Sequence, residues 1–114
     1  MTDRELLELA AKAAGLKIDK SPYNGGGVGN DGFDAFGRAV LDWHNGTTWN
    51  PLTDDGDALR LAVQLKMDVK QWQDNSIAVV VWDKYAIEDA TGDRYAATRR
   101  SIVRAAAEIG RSMK

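Results

Sequence analysis

Ile77-Ala78-Val79-Val80-Val81-Trp82 is the longest uninterrupted apolar run in the chain. A strand with one wet face would alternate apolar and polar residues; this run does not, so it predicts a strand covered on both faces by helices. Before it, Asp74-Asn75-Ser76 is a turn-forming triplet that joins it to Val69–Gln73, giving an antiparallel pair. Further upstream the spacing predicts a helix from Thr53 or Asp54 to Lys66. Its apolar residues Ala58, Leu59, Leu61, Ala62, Val63 and Leu65 cover more than half the wheel, so it is expected to be largely buried. Downstream, Asp93 to Met113 predicts a last helix with Tyr95, Ala96, Ile102, Val103, Ala106, Ile109 and Met113 on one arc.

At the N-terminal end, Thr2 and Glu5 make a capping-box pattern and Gly15 supplies a stop, which bounds a first helix. Its residues Leu6, Leu7, Leu9, Ala10, Ala13 and Ala14 fall on one side. Between residues 20 and 48 the pattern loosens, with six glycines from Gly25 to Gly37. A long loop followed by a hairpin is expected, Ala39–Trp43 and Thr47–Trp49 flanking a type I′ turn at Asn45-Gly46. The alternative is a helix from Asp34 to His44. Together these elements predict an α/β (α+β) fold: a three-layer α-β-α sandwich, with a mixed or antiparallel sheet of about four strands and three helices. A single domain is expected over residues 1–114, with a flexible Gly-rich loop at about 20–38.

Composition narrows the chemistry. There is no cysteine and one histidine among 114 residues, which removes disulfides, Cys-based zinc sites, thiol nucleophiles and multi-histidine metal centres within one chain. The acidic start Thr2-Asp3-Arg4-Glu5 is unlike a signal peptide, and no apolar run approaches the ~18 residues of a membrane span. A cytoplasmic protein without membrane partners is expected. Residues 1–83 hold 8 basic and 13 acidic side chains, residues 84–114 hold 7 and 4. That asymmetry suits an electrostatically complementary partner, but the chain is not basic enough to coat nucleic acid.

Three segments, Thr2 through Gly15, Trp49-Asn50-Pro51-Leu52-Thr53-Asp54-Asp55-Gly56-Asp57 running on to Val63, and Tyr95 through Gly110, together resemble the phage ABA sandwich family. They occur in family order over about half the chain. The resemblance implies a phage or prophage origin and a three-layer α-β-α fold, and carries over no catalytic residues.

Asp54, Asp55 and Asp57, beside Asn50 and Thr53, are oxygen donors of the kind that Mg²⁺ and Ca²⁺ favour. The same acids in a helix's first turn complement its dipole, with Thr53 or Asp54 as N-cap and Pro51 setting the entry. The spacing lacks the alternating acids and distal glutamate of a calcium loop, and the capping role is the stronger reading. Gly27-Val28-Gly29-Asn30-Asp31-Gly32 has nucleotide-loop glycine spacing without the preceding strand that such a loop needs. His44, with Asp42 to orient it, has the chemistry of a general base but sits beside a turn.

On the last helix Arg99 falls in the middle of the apolar arc, where a guanidinium must be paired; the acids at the second helix start are its expected partners. Arg100, Arg104 and Arg111 form a separate stripe that suits phosphates or an acidic protein surface. Trp49 and Trp82 are expected as packing anchors, and Trp43 and Trp72 as half-exposed interface residues.

The expected function is a non-enzymatic phage- or prophage-encoded binding protein with no cofactor and a host or phage protein as partner, an anti-defence (anti-CRISPR-like) inhibitor being one form. Its candidate binding residues are Trp43, Trp49, Asn50, Asp54, Asp55, Asp57, Trp72, Arg99, Arg100 and Arg104. The alternative is a metal-dependent phosphate- or nucleotide-binding protein or small enzyme using Asp54, Asp55 and Asp57. Nucleic acid is a less favoured partner, and the sequence leaves oligomeric state open.

Overall fold

A computed structural model describes residues 1–20 and 31–113. The class is α+β: three helices and two small antiparallel sheets. In chain order these are α1 (Asp3–Ala13), β1 (Ala39–Asp42), β2 (Thr47–Trp49), α2 (Asp55–Gln64), β3 (Asp68–Gln71), β4 (Ser76–Val81), β5 (Lys84–Asp89) and α3 (Arg94–Ser112).

Each helix starts where local chemistry dictates. The Thr2, Asp54 and Asp93 side chains accept from the backbone N–H groups of Glu5, Asp57 and Ala96, so each satisfies a donor that the helix leaves unpaired. Gly15 ends the first helix segment at φ +74, as its position predicts. Helix α3 is the centre of the molecule, packing against α1, α2, β4 and β5. Where α1 crosses it, Gly110 is so close that an added Cβ would stand 2.0 Å from the Leu9 carbonyl oxygen.

The strands divide between two sheets rather than forming one of about four strands. β1 and β2 pair by themselves, with the chain returning through residues 43–46 and Gly46 at φ +70. The hairpin is therefore as expected, its turn two residues longer than the type I′ form, and the helical alternative for 34–44 is excluded. β3, β4 and β5 form the second sheet in that order. Strand β5 had no counterpart named from the sequence; Trp82-Asp83 is the tight turn into it, between the paired Val81 and Lys84.

Burial corrects the reading of the central run. Ile77, Val79 and Val81 are buried and face α3, but Val80 on the opposite parity is exposed, as are its cross-strand partner Tyr85 and nearby Ile87. Among the described residues helical cover lies on one face of this sheet, although Ala78 on the other face is also buried. Trp82, expected as an anchor, is exposed in the turn. Helix α2 is likewise less buried than its apolar wheel implies: Ala58, Leu61 and Ala62 enter the core, while Leu59 and Val63 stay outside. Tyr95 and Met113, placed on the apolar arc of α3, are also exposed.

No helix among the described residues is long and apolar enough to cross a membrane. Most of the glycine-spaced motif at 27–32 and of the Gly-rich loop lies outside the described residues.

Candidate binding cleft

The polar stretch after β2 is built as a helix entry. Trp49 is buried in the core and brings Asn50 in with it. Asn50 Oδ1 accepts from Leu52 N at 3.0 Å, and its carbonyl accepts from Thr53 N and Asp54 N. Each acid then has a separate partner. Asp54 caps the helix through Asp57 N at 2.9 Å. Asp57 reaches back to accept from Asn50 N at 2.9 Å, and its other oxygen takes Arg60 at 2.6 Å. Asp55 turns away from both toward α3. The three carboxylates are thus spent on different groups, and among the described residues no cluster of three His, Asp or Glu side chains could hold a metal ion.

Arg99 meets the start of α2, as a guanidinium on an apolar face must meet something. Its Nε donates to the Leu52 carbonyl at 2.9 Å and its Nη1 to Asp55 Oδ1 at 2.6 Å. The Arg99 side chain is 17% exposed and that of Asp55 70%, so the pair bridges the interior and the surface.

Beside this bridge a cleft of about 530 Å³ opens between α2, α3 and β3. Ala58, Ala62, Val69 and Ile102 supply its apolar lining, and Asp55, Arg99, Thr98, Gln71 and Arg94 its polar positions. Leu59 and Tyr95 also line it, and they and the neighbouring Val63 are between 64% and 74% exposed. Arg94 is held by the Gln71 side chain and the Trp72 carbonyl, which fixes the β3 side of the cleft. Of the sequence-derived candidates only Asp55 and Arg99 line this cleft, whereas Trp49 and Asp57 line a smaller one with Arg60.

The arginine stripe lies on another side of α3. Arg100, Arg104 and Arg111 do line one concave region, of about 580 Å³, together with Lys84, Asp83 and Glu108. Each already has an acid: Arg100 has Asp3 at 3.1 Å, Arg104 has Glu88 at 2.7 Å, and Arg111 has Glu108 at 3.2 Å. All three arginines are 44–56% exposed, so solvent screens these pairs.

His44 is exposed in the β1–β2 turn. Asp42 accepts from His44 N and from Asn45 N and Nδ2, so it shapes the turn instead of orienting the imidazole. Trp43 is half-buried, its indole N–H donating to the Asp19 carbonyl at 2.8 Å, while Trp72 is exposed at the end of β3.

The sequence reading missed the cleft's exposed rim. Leu59, Val63 and Tyr95 looked like core because amphipathic spacing shows that a face is apolar, not whether a neighbour covers it. Comparisons with family models, curated proteins and solved structures find no match for this chain.

Proposed function

We propose that this is a non-enzymatic binding protein whose α2–α3–β3 cleft takes apolar side chains of a protein partner. One observation carries the reading: Leu59 and Tyr95 stand exposed on an apolar-lined cleft bounded by an ion pair, and Val63, one helical turn on from Leu59, is exposed beside them. Leaving three large apolar side chains in water has a cost that burial against a partner recovers, at ~25 cal/mol per Å². The Asp55–Arg99 pair gives the rim one exposed carboxylate for orientation.

The three segments resembling the phage ABA sandwich family support a phage or prophage setting, hence a host or phage protein as the partner and the host cytoplasm as the compartment. Inhibition of a host defence effector is one such role. The metal-dependent alternative loses support from the separate engagement of Asp54, Asp55 and Asp57.

The test is capture from bacterial host lysate with tagged wild-type protein and with Leu59→Asp/Val63→Asp, folding of the variant being checked by circular dichroism. A specific protein retained by the wild type and lost by the variant is expected. A retained protein that binds both equally contradicts the cleft assignment.

A further inference from the structure

The face of the β3–β4–β5 sheet that no helix among the described residues covers carries a second apolar surface, distinct from the cleft. Strand parity separates the two: Val69 and Gln71 line the cleft, whereas Asp68 and Lys70 alternate to the other side, where they pair with Val80 and Ala78. On that side Val80 lies opposite Tyr85 and Ala78 opposite Ile87. Trp72 and Trp82 stand at the two ends of this surface, Trp72 beside Ser76 and Trp82 at the β4–β5 turn. Exposures are 75% for Trp82, 67% for Tyr85, 58% for Ile87, 48% for Trp72 and 36% for Val80.

Trp82 has a backbone cost as well. It sits at φ +55, a hairpin-turn conformation that favours Gly, Asn or Asp and is a genuine outlier for a bulky side chain. A monomer gains nothing from an exposed indole held on a strained backbone; such strain collects at binding surfaces.

We propose that this face is the two-fold interface of a homodimer, in which the sheets of two copies pack face to face. The area fits. At these exposures the five side chains present on the order of 600–700 Å², above the usual largest apolar patch of a monomer and close to the ~800 Å² per partner of a stable interface. Sheet-on-sheet packing brings identical apolar centres together under a two-fold axis and leaves the charged rim in water. In that rim Asp68 is paired with Lys70 at 3.7 Å and Asp83 with Lys84 at 4.0 Å, so it carries no net positive charge to draw nucleic acid or an anionic lipid surface and little net charge to oppose a second copy. The cleft stays open in such a dimer because its β3 residues point to the opposite side.

Sedimentation equilibrium tests this across protein concentration. The wild type is expected at twice the 12.5 kDa chain mass at about 100 µM, within the affinity range of interfaces of this size. Tyr85→Lys should weaken association at least tenfold. Trp82→Gly should do the same while staying folded, because glycine accepts the positive φ. Ile87→Lys repeats the test if Tyr85→Lys does not fold, and Tyr95→Lys, on the cleft, should leave the dimer intact. A wild type that is monomeric at about 1 mM overturns the proposal, including one that instead binds an unlike protein or a vesicle through this face. So does a dimer that survives Tyr85→Lys and Trp82→Gly, or one lost on Tyr95→Lys alone.

Discussion

Arg99 of α3 and Asp55 at the first turn of α2 meet with Nη1 and Oδ1 2.6 Å apart, across 44 residues of sequence. Because Asp55 is mostly exposed, solvent screens the charge pair, and the bond from Arg99 Nε to the Leu52 carbonyl carries more of the stability. Arg99→Ala is expected to cost about 1–3 kcal/mol, mainly by leaving that carbonyl without its donor. Asp55→Ala should cost at most about 1 kcal/mol, screened pair and helix dipole together. Urea denaturation of both single variants and the double variant checks this, with a coupling energy below about 1 kcal/mol expected.

The neighbouring acids should behave as caps. Asp54→Ala is expected to lose about 1 kcal/mol, the usual value of an N-cap carboxylate. Mg²⁺, Mn²⁺ and Ca²⁺ should leave the melting temperature of the wild type unchanged, since Asp54, Asp55 and Asp57 are each committed elsewhere. A cation-dependent rise that Asp57→Asn abolishes would restore the metal-binding alternative.

Gly110→Ala should be among the most damaging single substitutions. In an exposed helix the change would stabilise by up to ~1 kcal/mol, but here the new Cβ meets the Leu9 carbonyl at 2.0 Å, and backbone must move. A loss of about 2–3 kcal/mol is expected, as for overpacking in a tight core. Gly110→Ser, bulkier still, should be no milder.

Acid should unfold the protein partly through Asp34 and Asp89. Burial pushes the Asp34 carboxyl up, but donation from the Arg38 backbone and side chain and from Phe36 N outweighs it and holds the carboxyl below the usual 3.8. The Thr91 hydroxyl and N–H hold Asp89 below 3.8 as well. Folded values below unfolded ones mean that this stability is complete above the unfolded value, near pH 4, and is lost as pH falls through the lower folded values. Thr91→Val should therefore flatten the decline of stability below about pH 4 and leave its slope above pH 5 unchanged, as read from urea midpoints.

The caps, the hairpin, the helices and the Arg99 partnership were legible because each is local or obligatory. A carboxylate three residues before an N–H needs no tertiary context, and an arginine on an apolar arc must find an acceptor. Cover was not legible. Val80 and Trp82 belong to a run without alternation, and Leu59 and Val63 to a wheel that is apolar over more than half its circumference; composition alone cannot say which of those faces another element reaches. The uncovered faces are the ones that carry the proposed interactions.

The most direct measurement is photo-crosslinking from a benzophenone side chain at position 59, in host lysate, with position 8 on the exposed face of α1 as the control. One protein adduct specific to position 59 is expected, and it should disappear when Tyr95→Ala is added. No adduct from position 59, or the same adducts from both positions, would contradict the proposed binding cleft.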